Sequence, residues 1–192
     1  MTLGLSEPPT DRELFAQLES GEVDLAFCSL PLSNGPFEAI ELMNDPYVLL
    51  VPASGPLADR GPLTLDDLGE IPIIGCAATG VKLEDALRAT GHKLEFAFRS
   101  DSKATLQALV AAGYGVALIP LLAVTPGDDE RVKVVNLTPA IPSRRLAVAW
   151  HRDRHRSLAA RALIDIARAA SAELVRELLR LQSVPSTVPG NA

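Results

Sequence analysis

The chain has 192 residues and a net charge of −6, with 47% hydrophobic and 22% charged residues. This length suits one bilobed domain or two small lobes, and the ordinary composition argues against an intrinsically disordered or fibrous protein. The acidic balance argues against nucleic-acid binding by the chain as a whole, two cysteines are too few for a disulfide scaffold, and no apolar run is long enough to span a membrane.

Short apolar runs alternate with amphipathic helices, a pattern typical of an α/β protein with a mainly parallel sheet. The first helix is predicted over residues 11–20, because Thr10 and Glu13 form a capping box and Gly21 ends the apolar stripe. Further helices are predicted over 81–90, 103–112 and 158–181. Strands are predicted at short apolar runs: residues 23–27, 47–51, 71–74, 94–98, 116–119, 132–137 and 146–150.

The last predicted helix, residues 158–181, is expected to pack across the sheet through one apolar face. The residues of that face are Leu158, Leu163, Ile166, Ala170, Leu174 and Leu178. Residues 183–192 hold two prolines and several small polar residues with little to bury, so they are predicted to form a flexible tail.

Small and hydroxyl-bearing residues precede two helices that follow predicted strands. Ala78, Thr79 and Gly80 stand before the helix at 81–90, and Ser102 stands before the helix at 103–112. Open backbone N–H groups and the helix dipole favour a carboxylate or phosphate at such positions, and ligands bind at the carboxyl ends of parallel strands. The alternative interpretation is that Thr79 and Ser102 are ordinary helix caps that bind nothing.

Residue sets suited to catalysis or metal binding are missing from the sequence. The three histidines lack metal-ligand spacing, and the chain has no nucleophile elbow, P-loop or dinucleotide fingerprint. The acidic pairs Asp66-Asp67 and Glu84-Asp85 are interpreted as solvated helix surface. No catalytic residue, metal or cofactor is therefore predicted, and the chain is not expected to be an enzyme.

Two further features each allow a functional and a structural interpretation. Cys28 and Cys76 both follow predicted strands in different lobes, so they form either a redox switch or small buried fillers. Six arginines and two histidines lie between Arg144 and Arg161. They form either a patch for anions or nucleic acid, or simply a solvated strand end and helix start.

Four stretches resemble the effector-binding domain of LysR-type transcriptional regulators. They are residues 14–27 (LFAQLESGEVDLAF), 45–68 (opening DPYVLLVP and closing LTLDDL), 101–120 (DSKATLQALVAAGYGVALIP) and 145–162 (RLAVAWHRDRHRSLAARA). The third is the most specific, because it is similar to the family's helix-turn-strand pattern nearly throughout. The likeness runs in order from about residue 1 to residue 170.

The resemblance implies a type 2 periplasmic-binding-protein-like α/β fold, with two α/β lobes joined by a two-strand hinge. Lobe I would comprise residues 1–54 and 138–182, lobe II residues 55–137, and the tail residues 183–192. A small-molecule effector, expected to be an organic anion, would change lobe or subunit packing and thereby control transcription. Matched by position, the crevice-lining residues are Thr10, Ser29, Ala78, Thr79, Gly80 and Ser102.

The family pattern opens with a winged helix-turn-helix, and its effector domain has a further strand and helix before the element at residues 2–5. The resemblance therefore implies an incomplete first lobe, as in a fragment, a truncated gene product or a misplaced start codon. It also implies no direct nucleic-acid contact by this chain alone. A homodimer or a tetramer fits the family, and the sequence leaves that choice open.

Residues 1–12 hold no signal-peptide pattern, so a cytoplasmic location without membrane contact is expected. Two alternatives remain on the same fold. One is a solute-binding protein, which the missing signal peptide argues against. The other is a small transferase or dehydratase, which would need a catalytic pair that the sequence does not offer.

Overall fold

The computed structural model of the chain describes residues 4–76, 83–85, 87–89, 91, 94–124, 129–139 and 141–183. The helices with described bounds are α1 (Asp11–Ser20), α2 (Lys103–Ala111) and α3 (Leu158–Ser183). The strands with described bounds are β1 (Ala26–Ser29), β2 (Phe37–Asp45), β3 (Tyr47–Pro52), β4 (Ile73–Gly75), β5 (Phe96–Arg99), β6 (Val116–Pro120), β7 (Val132–Asn136) and β8 (Arg144–His151).

The chain divides into two compact units. Unit 1 consists of Met1–Asn44 and Arg145–Ala192, and unit 2 of Asp45–Arg144. The chain passes from one unit to the other twice, at the end of β2 and at the start of β8.

The sheet of unit 1 has the strand order β1-β8-β2, with β1 antiparallel to β8. Successive side chains of a strand point to opposite faces of its sheet. Ala147 and Ala149 of β8 accordingly share a buried cluster with Phe15 of α1. Val148 and Trp150 share another with Ile164 of α3. Unit 1 thus has a helix and a core cluster on each side of β8.

The sheet of unit 2 has the order β5-β4-β6-β3-β7. β4 is parallel to β5 and β6, whereas β3 is antiparallel to β6 and β7. The prediction of a mainly parallel sheet is therefore wrong. Parallel neighbours need a crossover, and helical residues do lie between β4 and β5 and between β5 and β6. The strand β3 comes before β4 in the chain and is not joined to β6 or β7 by such a crossover. It is antiparallel to both of these neighbours.

Most of the predicted elements are confirmed, with shifted ends. The helices at 11–20, 103–112 and 158–181 correspond to α1, α2 and α3. Residues 83–85 and 87–89 are helical, and the rest of the predicted helix 81–90 lies outside the described residues. Gly4 and Leu5 are not in a strand, and residues 2–3 are also outside the described part.

Three predicted strands begin too early in the sequence. The runs at 23–27, 71–74 and 94–98 correspond to β1, β4 and β5, which begin at Ala26, Ile73 and Phe96. In each case the first apolar residue packs against a core before ladder pairing begins; these residues are Val23, Ile71 and Leu94. An apolar run in the sequence indicates which residues are buried, and at these three places the buried residues begin before the strand does.

The buried face of α3 differs from the predicted one. Leu158, Ile166 and Leu174 are exposed. The buried residues follow helical spacing along a stripe of mostly small side chains: Ala160, Ile164, Ala167 and Ser171. Small side chains let the helix axis approach the sheet closely, so the bulkier apolar stripe remains outside the unit 1 core.

Candidate ligand-binding site

Ser102 caps the N-terminus of α2 in unit 2. Its Oγ accepts a hydrogen bond from the N–H of Thr105 at 3.3 Å, and its own N–H donates to Oγ of Ser100 at 3.1 Å. The first turn of α2 contains no acidic residue and begins with Lys103. The positive end of the helix dipole is thus not compensated within that turn, which favours a bound anion.

The segments that follow β4 and β5 lie side by side. The N–H of Ser100 donates to the carbonyl of Gly75 at 3.1 Å, and Sγ of Cys76 donates to Oδ1 of Asp101 at 3.3 Å. Since β4 and β5 are parallel, these contacts lie at the carboxyl edge of the sheet, where the Ser102 cap also lies. Ligands of α/β proteins bind at this edge. No signal in the sequence predicts the Cys76–Asp101 contact, because it pairs residues 25 positions apart.

Thr10 and Ser29 are in unit 1. Oγ1 of Thr10 caps α1 by accepting from the N–H of Glu13 at 3.2 Å. Asp11 and Glu13 already place two carboxylates in the first turn of α1, so this helix end is less suited to an anion than that of α2. Ser29 is the last residue of β1 and is half-buried opposite Leu146 of β8.

The remaining predicted site residues, Ala78, Thr79 and Gly80, lie outside the described residues. Ser102 is therefore the only predicted site residue of unit 2 whose surroundings the described ranges include. Thr10 and Ser102 occupy the helix-cap positions that the sequence predicts, whereas Ser29, which the resemblance places in a loop, is the last residue of β1.

The acidic pair at residues 66–67 has a structural role that the solvated-surface interpretation missed. Oδ2 of Asp67 accepts from the N–H of Thr64 at 2.8 Å and from its Oγ1 at 2.6 Å, and Asp67 also pairs with Arg60. The bonds from Thr64, more than the charge of Arg60, lower the pKa of Asp67. Asp67 thus holds a tight turn.

Within the described ranges, no group of histidine, cysteine and carboxylate side chains is arranged to hold a metal ion. Neither Cys28, which is buried, nor Cys76, which is half-buried, is in a disulfide. Among the helices in the described part of the chain, none combines the length and hydrophobicity needed to cross a membrane.

Comparison with known proteins gives the same family from sequence and from structure. The sequence pattern described as the LysR substrate binding domain matches residues 3–172. The chain belongs to this family. The family resemblance and the type 2 periplasmic-binding-protein-like α/β fold predicted from the sequence are both confirmed.

Individual relatives agree with this assignment. The DNA-binding transcriptional dual regulator OxyR of Escherichia coli is 31% identical over 140 residues, which cover 71% of this chain and 45% of OxyR. The C-terminal domain of a probable LysR family regulator from Rhodococcus is 32% identical with a TM-score of 0.70, covering 82% of this chain and 80% of that domain. The effector binding domain of QuiR in complex with shikimate has a TM-score of 0.72 at 20% identity, covering 85% and 79%.

The chain spans about half the length of the curated relatives that it matches. LysR-type regulators bind small-molecule effectors, act as multimers on DNA in the cytoplasm, and their effector domains are generally not enzymes. The chain corresponds to the effector-binding domain of such regulators.

Proposed function

We propose that this LysR effector-binding domain senses a small organic anion, whose charged group binds at the N-terminus of α2. The observation that carries the proposal is the Ser102 cap, on a helix whose first turn has no acid, at the carboxyl edge of parallel strands. The shikimate complex of QuiR supports the ligand class, because shikimate is itself a carboxylate.

The remaining predicted residues fall into two groups. We propose that Ala78, Thr79 and Gly80 line the same site as Ser102, because they follow β4, the strand beside β5. Thr10 and Ser29 remain predicted ligand-binding residues of unit 1, but the charged group of the effector is not assigned to them, since the first turn of α1 already holds two carboxylates. Effector binding would then change lobe or subunit packing in a cytoplasmic regulator that acts as a homodimer or tetramer.

Neither catalysis nor a cofactor forms part of this proposal. Peroxide sensing, which the name of several relatives attributes to them, is not proposed for this chain either. The thiol of Cys76 is engaged in a hydrogen bond to the carboxylate of Asp101. The other thiol, Cys28, is buried in unit 1.

A thermal-shift screen of aromatic and aliphatic carboxylates tests the proposal, since a ligand that binds only the native state raises the Tm. The decisive variant is Ser102→Asp, because aspartate caps a helix as well as serine but repels an anion. We expect Ser102→Asp to keep its unliganded Tm and to lose most of the shift. The matched variant Ser157→Asp exchanges the cap of α3, which is not a predicted site residue, and should keep most of the shift. A full shift in Ser102→Asp would refute the assignment.

A further inference from the structure

Unit 1 contains a cavity of about 310 Å³ between the end of α1, the end of β8 and the start of α3. Its volume lies near the lower end of the range for small-molecule sites, about 300 Å³. The basic residues on its wall are His151, Arg154, His155 and Arg156. They come from the arginine- and histidine-rich segment that the LysR assignment leaves without a role.

Arg154 is held in place by the end of α1. Its Nη1 donates to the carbonyl of Leu18 at 3.0 Å, and its Nη2 donates to the carbonyl of Glu19. Gly21 makes room for this guanidinium, because a Cβ there would lie 2.4 Å from Nη1. Carbonyl partners orient the guanidinium but do not cancel its charge.

Arg156 is oriented in a different way. Its guanidinium stacks over the ring of Trp150 at 4.5 Å from the centroid, and the indole N–H of Trp150 donates to Glu38 at 3.2 Å. In the part of the chain that the structure describes, neither Arg154 nor Arg156 forms an ion pair with a carboxylate. Both guanidiniums are therefore oriented and retain their positive charge.

The histidines add donors to the same wall. Nδ1 of His151 accepts from the N–H of Asp153 at 3.3 Å, which leaves Nε2 as the protonated nitrogen of the neutral ring. The carboxylate on the wall is Asp24. Two guanidiniums against one carboxylate leave the wall positive even with both imidazoles neutral, although the chain as a whole is acidic.

We propose that this cavity is a second ligand site, which binds a small carboxylate or phosphate anion. Arg156 can offer either group paired, charge-assisted hydrogen bonds, whereas Arg154, whose Nη1 and Nη2 already donate to α1, contributes mainly its positive charge. The concave shape favours a small anion over the extended backbone of a nucleic acid. An anion held there would link the end of α1 to the start of α3.

Trp150 makes the site directly observable, because it is the single tryptophan of the chain and lines the cavity. The experiment follows Trp150 fluorescence of the 192-residue chain during titration with inorganic phosphate and, separately, with citrate. Chloride at matched ionic strength corrects for screening, and calorimetry checks the affinities. A saturable change with both anions, but not with chloride, is expected.

Two arginine variants locate the site. Arg156→Gln removes one charged donor and should weaken both anions about tenfold, the effect of losing one charge-assisted hydrogen bond. Arg168→Gln removes the same charge from an exposed position of α3 that does not line the cavity, and should bind like the wild type. Equal weakening in both variants would mean general charge screening and would overturn the proposal.

A further titration distinguishes a free phosphate from the phosphate backbone of a nucleic acid as the ligand. A short DNA duplex is titrated under the same conditions. Binding of the duplex that Arg156→Gln weakens, without saturable binding of phosphate or citrate, would assign the cavity to a nucleic-acid backbone and overturn the small-anion proposal. Absence of any saturable change in the wild type would overturn it as well.

Discussion

Asp45 and Arg144, the first and last residues of unit 2, form a buried ion pair. Oδ2 of Asp45 accepts from Nη2 of Arg144 at 2.6 Å and from its Nε at 3.2 Å, while Oδ1 accepts from the N–H of Leu122 at 2.9 Å. The Asp45 side chain is fully buried. The pair therefore joins the two points at which the chain enters and leaves unit 2.

Replacing Asp45 with asparagine should destabilise the protein by about 3 kcal/mol, because it leaves the Arg144 charge largely buried without its counter-ion. The amide can still accept from Leu122, so the loss isolates the ion pair. Urea unfolding measures it. The neighbouring pair, Arg145 with Glu41, is more exposed and supplies the control: Glu41→Gln should leave the midpoint almost unchanged. Equal midpoints for Asp45→Asn and wild type would contradict this account.

Gly21 should tolerate alanine less well than Gly113 does. Both have a positive φ, 82° and 77°, so each substitution carries the strain of a left-handed residue, about 1 kcal/mol. Only at Gly21 would the new Cβ collide with Arg154, whereas the space around Gly113 is open. Gly21→Ala should therefore lose the bonds of Arg154 to α1 as well, and its free energy of unfolding should fall further. Identical losses would show that Arg154 adds nothing at this turn.

The carboxyl group of Asp129 should titrate abnormally. Hydrogen bonds from the side chain and backbone of Arg131 lower its pKa from 3.8 to about 2. A lowered pKa in the folded state means that this contact stabilises the fold above about pH 4 and loses its effect as the pH falls towards 2. Carboxyl-carbon NMR titration should give a midpoint near 2 in the wild type, and Arg131→Gln should raise it. A wild-type midpoint near 3.8 would rule out the contact in solution.

The thiols of Cys28 and Cys76 should differ in solvent accessibility, and hydrogen peroxide should not join them in a disulfide. Cys76 is half-buried and Cys28 is buried, so a maleimide should label Cys76 first, and Cys76→Ser should remove the fast phase. Mild hydrogen peroxide should produce no Cys28–Cys76 disulfide detectable by mass spectrometry. Formation of that disulfide with a matching change in carboxylate binding would favour a redox sensor instead.

Local signals in the sequence predict local structure well. The sequence correctly predicts the helix cap at Thr10, the helix end at Gly21 and the strand β6. Each of these depends only on residues a few positions away. β2 was missed, since Glu38 and Glu41 interrupt its apolar residues and acidic residues are unfavourable in strands. Its position beside β8 depends on pairing with a segment about a hundred residues away.

The α3 face and the candidate sites illustrate the same limit. The helix α3 has two apolar faces, one that includes Leu158 and Ile166 and one that includes Ala160 and Ile164. Hydrophobicity alone does not show which of the two faces is buried. The basic segment at 144–161 was identifiable from composition. Which of its arginines form ion pairs could not be predicted, because that depends on where each partner lies in the fold. Arg144 pairs with Asp45 and Arg145 with Glu41, whereas Arg154 donates to backbone carbonyls.

The central claim is that the charged group of the effector binds at the N-terminus of α2. The most direct test is a backbone-amide NMR titration with the carboxylate that gives the largest thermal shift. The largest saturable shifts should occur at the amides of residues 102–105, and Ser102→Asp should abolish them. Unchanged amides at 102–105 when the carboxylate is saturating would contradict the claim.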